Sequence, residues 1–155
     1  MSSRANVGAA LQEIVDELLR ATDASRCTLR QDLSGGEFFP VTHEALASGV
    51  GSLRGERSVD LKSQPVVREL AETGSQVVQD DCRGAFADPA FQRMLEAYGG
   101  LAAQIVTPVH VGGRLAAIVS LHQLGAARDW TADEIQLAAG AAERVRGLLE
   151  REGAS

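Results

Sequence analysis

Lysine occurs once in the 155 residues, at Lys62, and the 15 basic side chains are outnumbered by 21 acidic ones. A net charge of −6 leaves no cationic surface to displace counterions, which argues against nucleic acid or an anionic membrane as partner. Cysteine appears twice, at Cys27 and Cys82, without CxxC spacing or a nearby histidine pair. That pattern supports neither a zinc site nor a redox dithiol, and both thiols are expected to be reduced. Aromatic residues make up only 4% of the chain against 45% hydrophobic residues overall, so the core is expected to be aliphatic and alanine-rich. No apolar run reaches the roughly 18 residues of a membrane span and no charged-then-apolar leader opens the chain, so a cytoplasmic location is expected. Ser/His/Asp order, P-loop, HExxH and GxGxxG are all missing, and nothing nominates a catalytic nucleophile or base. The expectation is a non-enzyme.

What is present is organised around Gly99 to Gln123. Two apolar runs, 101–111 and 114–123, flank Gly112-Gly113, and paired glycines supply the positive φ angles of a two-residue hairpin turn. Alternation puts Gln104, Val106, Ile118, Ser120 and His122 on one face, with Ile105, Thr107, Val119 and Leu121 on the other. The second face suits a core; the first mixes polar and apolar groups.

Residues 6–21 carry Val7, Leu11, Ile14, Val15, Leu18 and Leu19 at helical spacing, and a long helix over 131–152 opens on the capping box of Thr131 and Glu134. Between them Arg26 to Gln31 alternates Cys27 and Leu29 with Thr28 and Arg30, as a half-buried strand does. A turn at Ser34-Gly35-Gly36 leads to an expected second strand over 37–42, kept to a sheet edge by Pro40, with a solvated His43 at its end. Residues 45–62 have no sustained period and read as a long loop, either a lid or a surface excursion. Residues 63–73 read as a short helix with Pro65 in its first turn and Gly74 as its stop, Gln76 to Gln79 form a brief strand, and Asp88-Pro89 caps a helix through Phe91 and Met94. Helices at both ends with hairpins between them indicate one α+β domain built on an antiparallel sheet.

Three stretches resemble the GAF domain family, whose architecture is related to that of PAS domains: the opening helix into 26–31, the run Gln76-Val-Val-Gln-Asp-Asp, and Ile105-Val-Thr-Pro-Val-His-Val-Gly-Gly-Arg-Leu-Ala-Ala-Ile-Val-Ser-Leu-His-Gln followed by Trp130-Thr-Ala-Asp-Glu-Ile. The resemblance spans nearly the whole chain. It implies a sheet of about six strands, terminal helices on one face, and a ligand pocket on the other under loops and short helices. Asp80-Asp81-Cys82-Arg83 is similar to the Asp-x-Cys-Phe motif of some photosensory members, but Arg83 replaces the Phe and no Cys-His pair is present. The Asn-Lys, Phe and Asp-Glu signature of cyclic-nucleotide binders is missing too. The resemblance therefore implies no cofactor, with neither bilin nor haem expected.

It further implies a sensory or regulatory role for a free-standing, dimeric domain that binds a small metabolite, the first and last helices forming the dimer contact. Candidate ligand-binding residues are Gln104, Val106, Ile118, Ser120, His122, Phe91 and Asp81. His122 and Ser120 on an apolar wall suit the orientation of a small polar ligand, the alternative being a histidine that serves the backbone near a strand end. Asp80 and Asp81 suit a cation or ligand amine, or equally a capped turn. Arg54 and Arg57 either close over an anion or stay solvated. Two other readings stay open: an interaction module or accessory subunit with a vestigial pocket, and a redox enzyme using Cys82.

Overall fold

Gly112 and Gly113, with φ of 62° and 79°, reverse the chain between β4 (Leu101–Val111) and β5 (Arg114–Leu124) in a computed structural model that describes residues 3–33, 39–55 and 64–154. β1 (Arg26–Gln31) pairs with the outer side of β5, β2 (Val41–Leu46) with β1, and β3 (Val77–Gln79) with β4. The resulting antiparallel order is β2-β1-β5-β4-β3, five strands among the described residues. β2 starts and ends later than the alternation in 37–42 suggests. Its position is decided by pairing, Arg26 against Leu46 and Leu29 against His43, with an irregularity before Arg30. His43 thus lies within the strand and is half-buried, and the turn at 34–36 lies outside the described residues.

The two faces of the sheet carry separate cores. On one, α1 (Ser3–Thr22) and α4 (Ala132–Ala154) cover Cys27, Leu29, Ile105, Val119 and Leu121, all buried, as the alternation requires. Burial of each such aliphatic side chain contributes about 1.5–3 kcal/mol. Thr131 and Glu134 cap α4 reciprocally, the Glu134 amide donating to Thr131 Oγ1 at 3.1 Å and the Thr131 amide to Glu134 Oε1 at 3.0 Å. Trp130 locks that corner: its indole N–H donates to the Gln79 carbonyl and Arg128 lies over its ring.

The opposite face is closed by α2 (Pro65–Thr73) and α3 (Pro89–Ala97). α2 ends at Gly74, left-handed at φ 68°, and α3 begins on the Asp88 carboxylate, which accepts from the Ala90 amide at 2.8 Å. Here Phe91, Met94, Leu95 and Tyr98 pack with Val106 and Ile118. None of the described helices is long and apolar enough to cross a membrane.

Candidate functional site

Strand register builds two polar rows across the face beneath α2 and α3. Arg26 of β1 stands opposite His122 of β5, which stands opposite Gln104 of β4; one step along, Thr28, Ser120 and Val106 line up in the same way. Arg30 follows on β1 opposite Ile118. These polar side chains are buried, Arg26 and Thr28 each only 1% exposed and Arg30 7%. Burying such groups is costly unless each finds a partner, so their hydrogen bonds define the site.

Arg26 spreads its donors over three acceptors: Nε to His122 Nδ1 at 3.0 Å, one terminal nitrogen to the Gly51 carbonyl at 3.0 Å, the other to the Tyr98 carbonyl at 2.7 Å. Arg30 donates to the Phe39 carbonyl at 2.9 Å and to the Tyr98 hydroxyl at 3.0 Å. Tyr98, the residue that ends α3, thus bridges both guanidinium groups, and its ring stacks on His122 with centroids 5.8 Å apart. Among the described residues neither arginine has a carboxylate within ion-pair distance; every acceptor is neutral. Burial pulls the Arg26 pKa down to about 10, Glu44 and Tyr98 acting against that pull and Arg30 with it. Arg26 stays charged at neutral pH. Burial also holds His122 well below its ordinary 6.5, and both arginines push the same way. The ring is therefore neutral at pH 7, and because Nδ1 accepts from Arg26 the remaining proton sits on Nε2.

A cavity of about 40 Å³ opens between the rows and the short helices, walled by Thr28, Arg30, Gln64, Tyr98, Gln104, Ser120 and His122 on its polar side and by Val66, Val67, Met94, Val106 and Ile118 on its apolar side. Two buried wall atoms have no partner, Thr28 Oγ1 and Gln64 Oε1. Gln64 precedes α2 and uses its amide nitrogen on the Ala90 carbonyl, so its oxygen is left over.

Of the residues named from the sequence, Gln104, Val106, Ile118, Ser120 and His122 meet at this cavity. Phe91 and Asp81 do not. Phe91 is fully buried in the core behind the wall, edge-on to Phe86 with centroids 5.0 Å apart. Asp81 is exposed, capping a single 3-10 turn over Cys82–Gly84 and pairing with Arg83 at 2.8 Å. Neighbouring Asp80 accepts from the Trp130 amide at 3.2 Å. His122 serves a side chain, Arg26, and not the backbone. The arginines read as a possible clamp are not in the wall: Arg54 is exposed, and Arg57 lies outside the described residues. The start of the long loop is tied down instead, with Gly51 held by Arg26 and Leu53 buried while its amide donates to Glu44.

Sequence reasoning passed over Arg26, Thr28, Arg30, Gln64 and Tyr98. Alternation along β1 assigns Thr28 and Arg30 to solvent, whereas β1 lies between two strands and is covered on both faces. A strand reading Arg-x-Thr-x-Arg is a usable signal only once its neighbours are known.

Cys82, the thiol considered for redox chemistry, is fully buried against the Leu101 carbonyl, and burial pushes its pKa up to about 11; Cys27, on the other face, is pushed up to about 12. A thiol reacts as its thiolate, so neither is poised for chemistry near neutral pH. Iodoacetamide at pH 7.5 is expected to label neither cysteine in the native protein and both after unfolding, by intact-mass spectrometry. Fast native labelling of Cys82 would reverse that assignment. Among the described residues no three His, Cys, Asp or Glu side chains gather as a metal site would require.

An antiparallel sheet of five described strands, with long terminal helices on one face and a polar cavity under short helices on the other, defines an α+β domain. The chain belongs to the GAF domain family, whose model matches residues 6–148. None of the curated proteins matches it. Among solved structures it is similar to the photoproduct state of a GAF domain from Synechocystis sp. PCC6803, with TM-score 0.78 and 18% identity over 96% of each chain. It is equally similar, TM-score 0.78 and 19% identity, to the blue-light-absorbing form of the Thermosynechococcus elongatus PixJ GAF domain, covering 99% of this chain and 93% of that one. The chromophore-binding domain of a bacteriophytochrome from R. palustris gives TM-score 0.76 at 17% identity, over 96% of this chain and 57% of that one. At these identities the likeness is one of fold.

These neighbours correct the expectation that no cofactor is involved, since the structures the chain is similar to include photoreceptor and chromophore-binding domains. The cavity between Tyr98, Met94, Val66, Gln64 and the sheet is about 40 Å³, too small in its present arrangement for a multi-ring chromophore.

Proposed function

We propose that this chain is a sensory or regulatory GAF domain that takes up a small polar molecule between the sheet and α2/α3. The observation that carries this reading is the set of buried polar side chains around the cavity, Thr28, Arg30, Gln104, Ser120 and His122, on a face that folding alone would fill with aliphatic groups. Binding there would be felt at both ends of the site, because Arg26 connects His122 to the loop at Gly51 and to the end of α3 at Tyr98. A screen of metabolites by ligand-stabilised melting tests this, and it includes a linear tetrapyrrole and haem with absorption spectra as readout, since one similar structure is a chromophore-binding domain. Stabilisation by one small compound supports the reading; no stabilisation by any compound overturns it.

The domain acts as a cytoplasmic homodimer through α1 and α4. Support comes from a groove of about 640 Å³ along these helices, where Leu137 is 44% exposed beside Ile14, Leu18 and Ala141. Its rim holds both signs of charge, Glu17, Asp133 and Arg144, so the patch can pair with its own image about a two-fold axis. Light scattering at micromolar concentration is expected to give twice the chain mass, and Leu137→Glu the single mass; a monomeric parent protein would remove the dimer. The small size of the cavity favours a second reading, an accessory subunit whose terminal helices dock on another protein. A stoichiometric protein that co-purifies, with no small-molecule response, would support it.

A further inference from the structure

We propose that the cavity between β1, β5 and α2 is a site for a small oxyanion that keeps one hydroxyl group, of the size and chemistry of bicarbonate. This rests on the reading of the same cavity as a ligand site and names the ligand class.

Size sets the first limit. Roughly 10–15 Å³ of such space is enough for one water, so about 40 Å³ admits an anion of only a few non-hydrogen atoms. Charge sets the second. Arg26 and Arg30 sit on one face of one strand, both buried, with neutral acceptors and no described carboxylate in ion-pair range. Guanidinium groups are not deprotonated at neutral pH, so the face carries two positive charges in a poorly solvated place, and among the described residues Glu44 is the only carboxylate seen to act on Arg26 through space. An anion would offset them. Arg30 lines the cavity itself, while Arg26 acts one step behind by holding His122 in the tautomer whose free nitrogen, Nε2, is a donor.

The unpartnered atoms narrow the class. Thr28 Oγ1 is a buried hydroxyl with nothing to bond, able to donate to a ligand oxygen. Gln64 Oε1 can only accept, because its amide nitrogen is already engaged by the Ala90 carbonyl. A fully deprotonated oxyanion such as nitrate or formate would face that carbonyl oxygen with no hydrogen to offer. An oxyanion with one O–H satisfies both atoms, its charged oxygens toward Arg30 and Thr28 and its hydroxyl toward Gln64.

The test is thermal melting of the full chain in sodium bicarbonate, nitrate, formate and chloride at equal ionic strength and pH 8, with urea as a neutral donor. A rise of several degrees in bicarbonate, exceeding that in nitrate and formate by at least two-fold, is expected. Thr28→Val keeps the side-chain shape and removes the orphaned hydroxyl, so it should melt at or above the parent temperature without ligand and lose most of the bicarbonate response. Arg30→Lys, which keeps a charge but not the fork, should shrink the response several-fold. Equal shifts in all three oxyanions, or an unchanged response in Thr28→Val, would overturn the assignment. Stabilisation by urea or another neutral molecule alone would overturn the anion while leaving a ligand cavity. No stabilisation by anything would remove both.

Discussion

Arg26→Met is expected to lower the melting temperature by roughly 10 °C and to loosen two segments far apart in the sequence. The side chain opposes two effects. Keeping a guanidinium 1% exposed is unfavourable, and the fall of its pKa from 12.5 to about 10 puts that cost at about 3 kcal/mol. Against it stand three hydrogen bonds from a charged donor, to His122, Gly51 and Tyr98, each contributing about 1.5–3 kcal/mol, with acceptors that would be stranded in the interior without it. The bonds win by about 3 kcal/mol, and in a domain of this size each kcal/mol moves the melting temperature by about 2–4 °C. Amide hydrogen exchange should rise around Gly51 and at the end of α3, with little change in α1 and α4. Arg26→Lys keeps the charge but cannot reach three acceptors from one ammonium, so it should fall between the parent and the methionine variant. A variant as stable as the parent would mean that the arginine does not hold the site together.

Acid is expected to destabilise the protein well before its carboxylates titrate. His122 is buried and neutral, its pKa held well below 6.5 by burial and by the two arginines. The unfolded chain, with an ordinary imidazole, takes up a proton near pH 6.5 that the native ring refuses. Stability therefore falls as pH drops below about 6.5, by at most about 1.4 kcal/mol per pH unit for each such group. His43 adds to the slope in the same direction, its pKa lowered by burial and by Arg54, with a hydrogen bond to the Gly8 backbone opposing. Between pH 7.5 and 5.0 the His122 share comes to about 2 kcal/mol, a fall of roughly 6 °C in melting temperature. Glu17, Asp81, Glu134 and Glu143 have lowered pKa values, so their contribution is present above their ordinary 3.8–4.5 and is lost below it, outside this window. His122→Gln retains an acceptor for Arg26 Nε and should remove most of the slope, leaving the part due to His43. An equally steep fall in that variant would show that His122 is not the group responsible.

The hairpin at Gly112-Gly113, the terminal helices, the capping box at Thr131, the helix with Pro65 in its first turn and the helix start at Asp88-Pro89 were all legible in the sequence. Each depends on residues close together in the chain, acting through backbone geometry or local hydrogen bonds. The division of β4 and β5 into a core face and a mixed face was legible for the same reason, since side-chain alternation is a local property. The bounds of β2 were not, because the register against β1 sets them. Nor was the fate of Asp81, whose carboxylate caps a turn, or of Phe91, which the packing of α3 directs into the core.

What the amino-acid order determined by itself was which segments form helices and strands and that five polar or apolar residues of one hairpin share a face. What only the tertiary structure decided is that β1 enters beside β5, bringing Arg26 to His122 across 96 residues and setting Thr28 and Arg30 in the interior. A strand's alternation says which residues face the same way, never whether that side meets water or protein. For β1 the answer depends on α2, α3 and the loop at Gly51, which lie far along the chain and close in space.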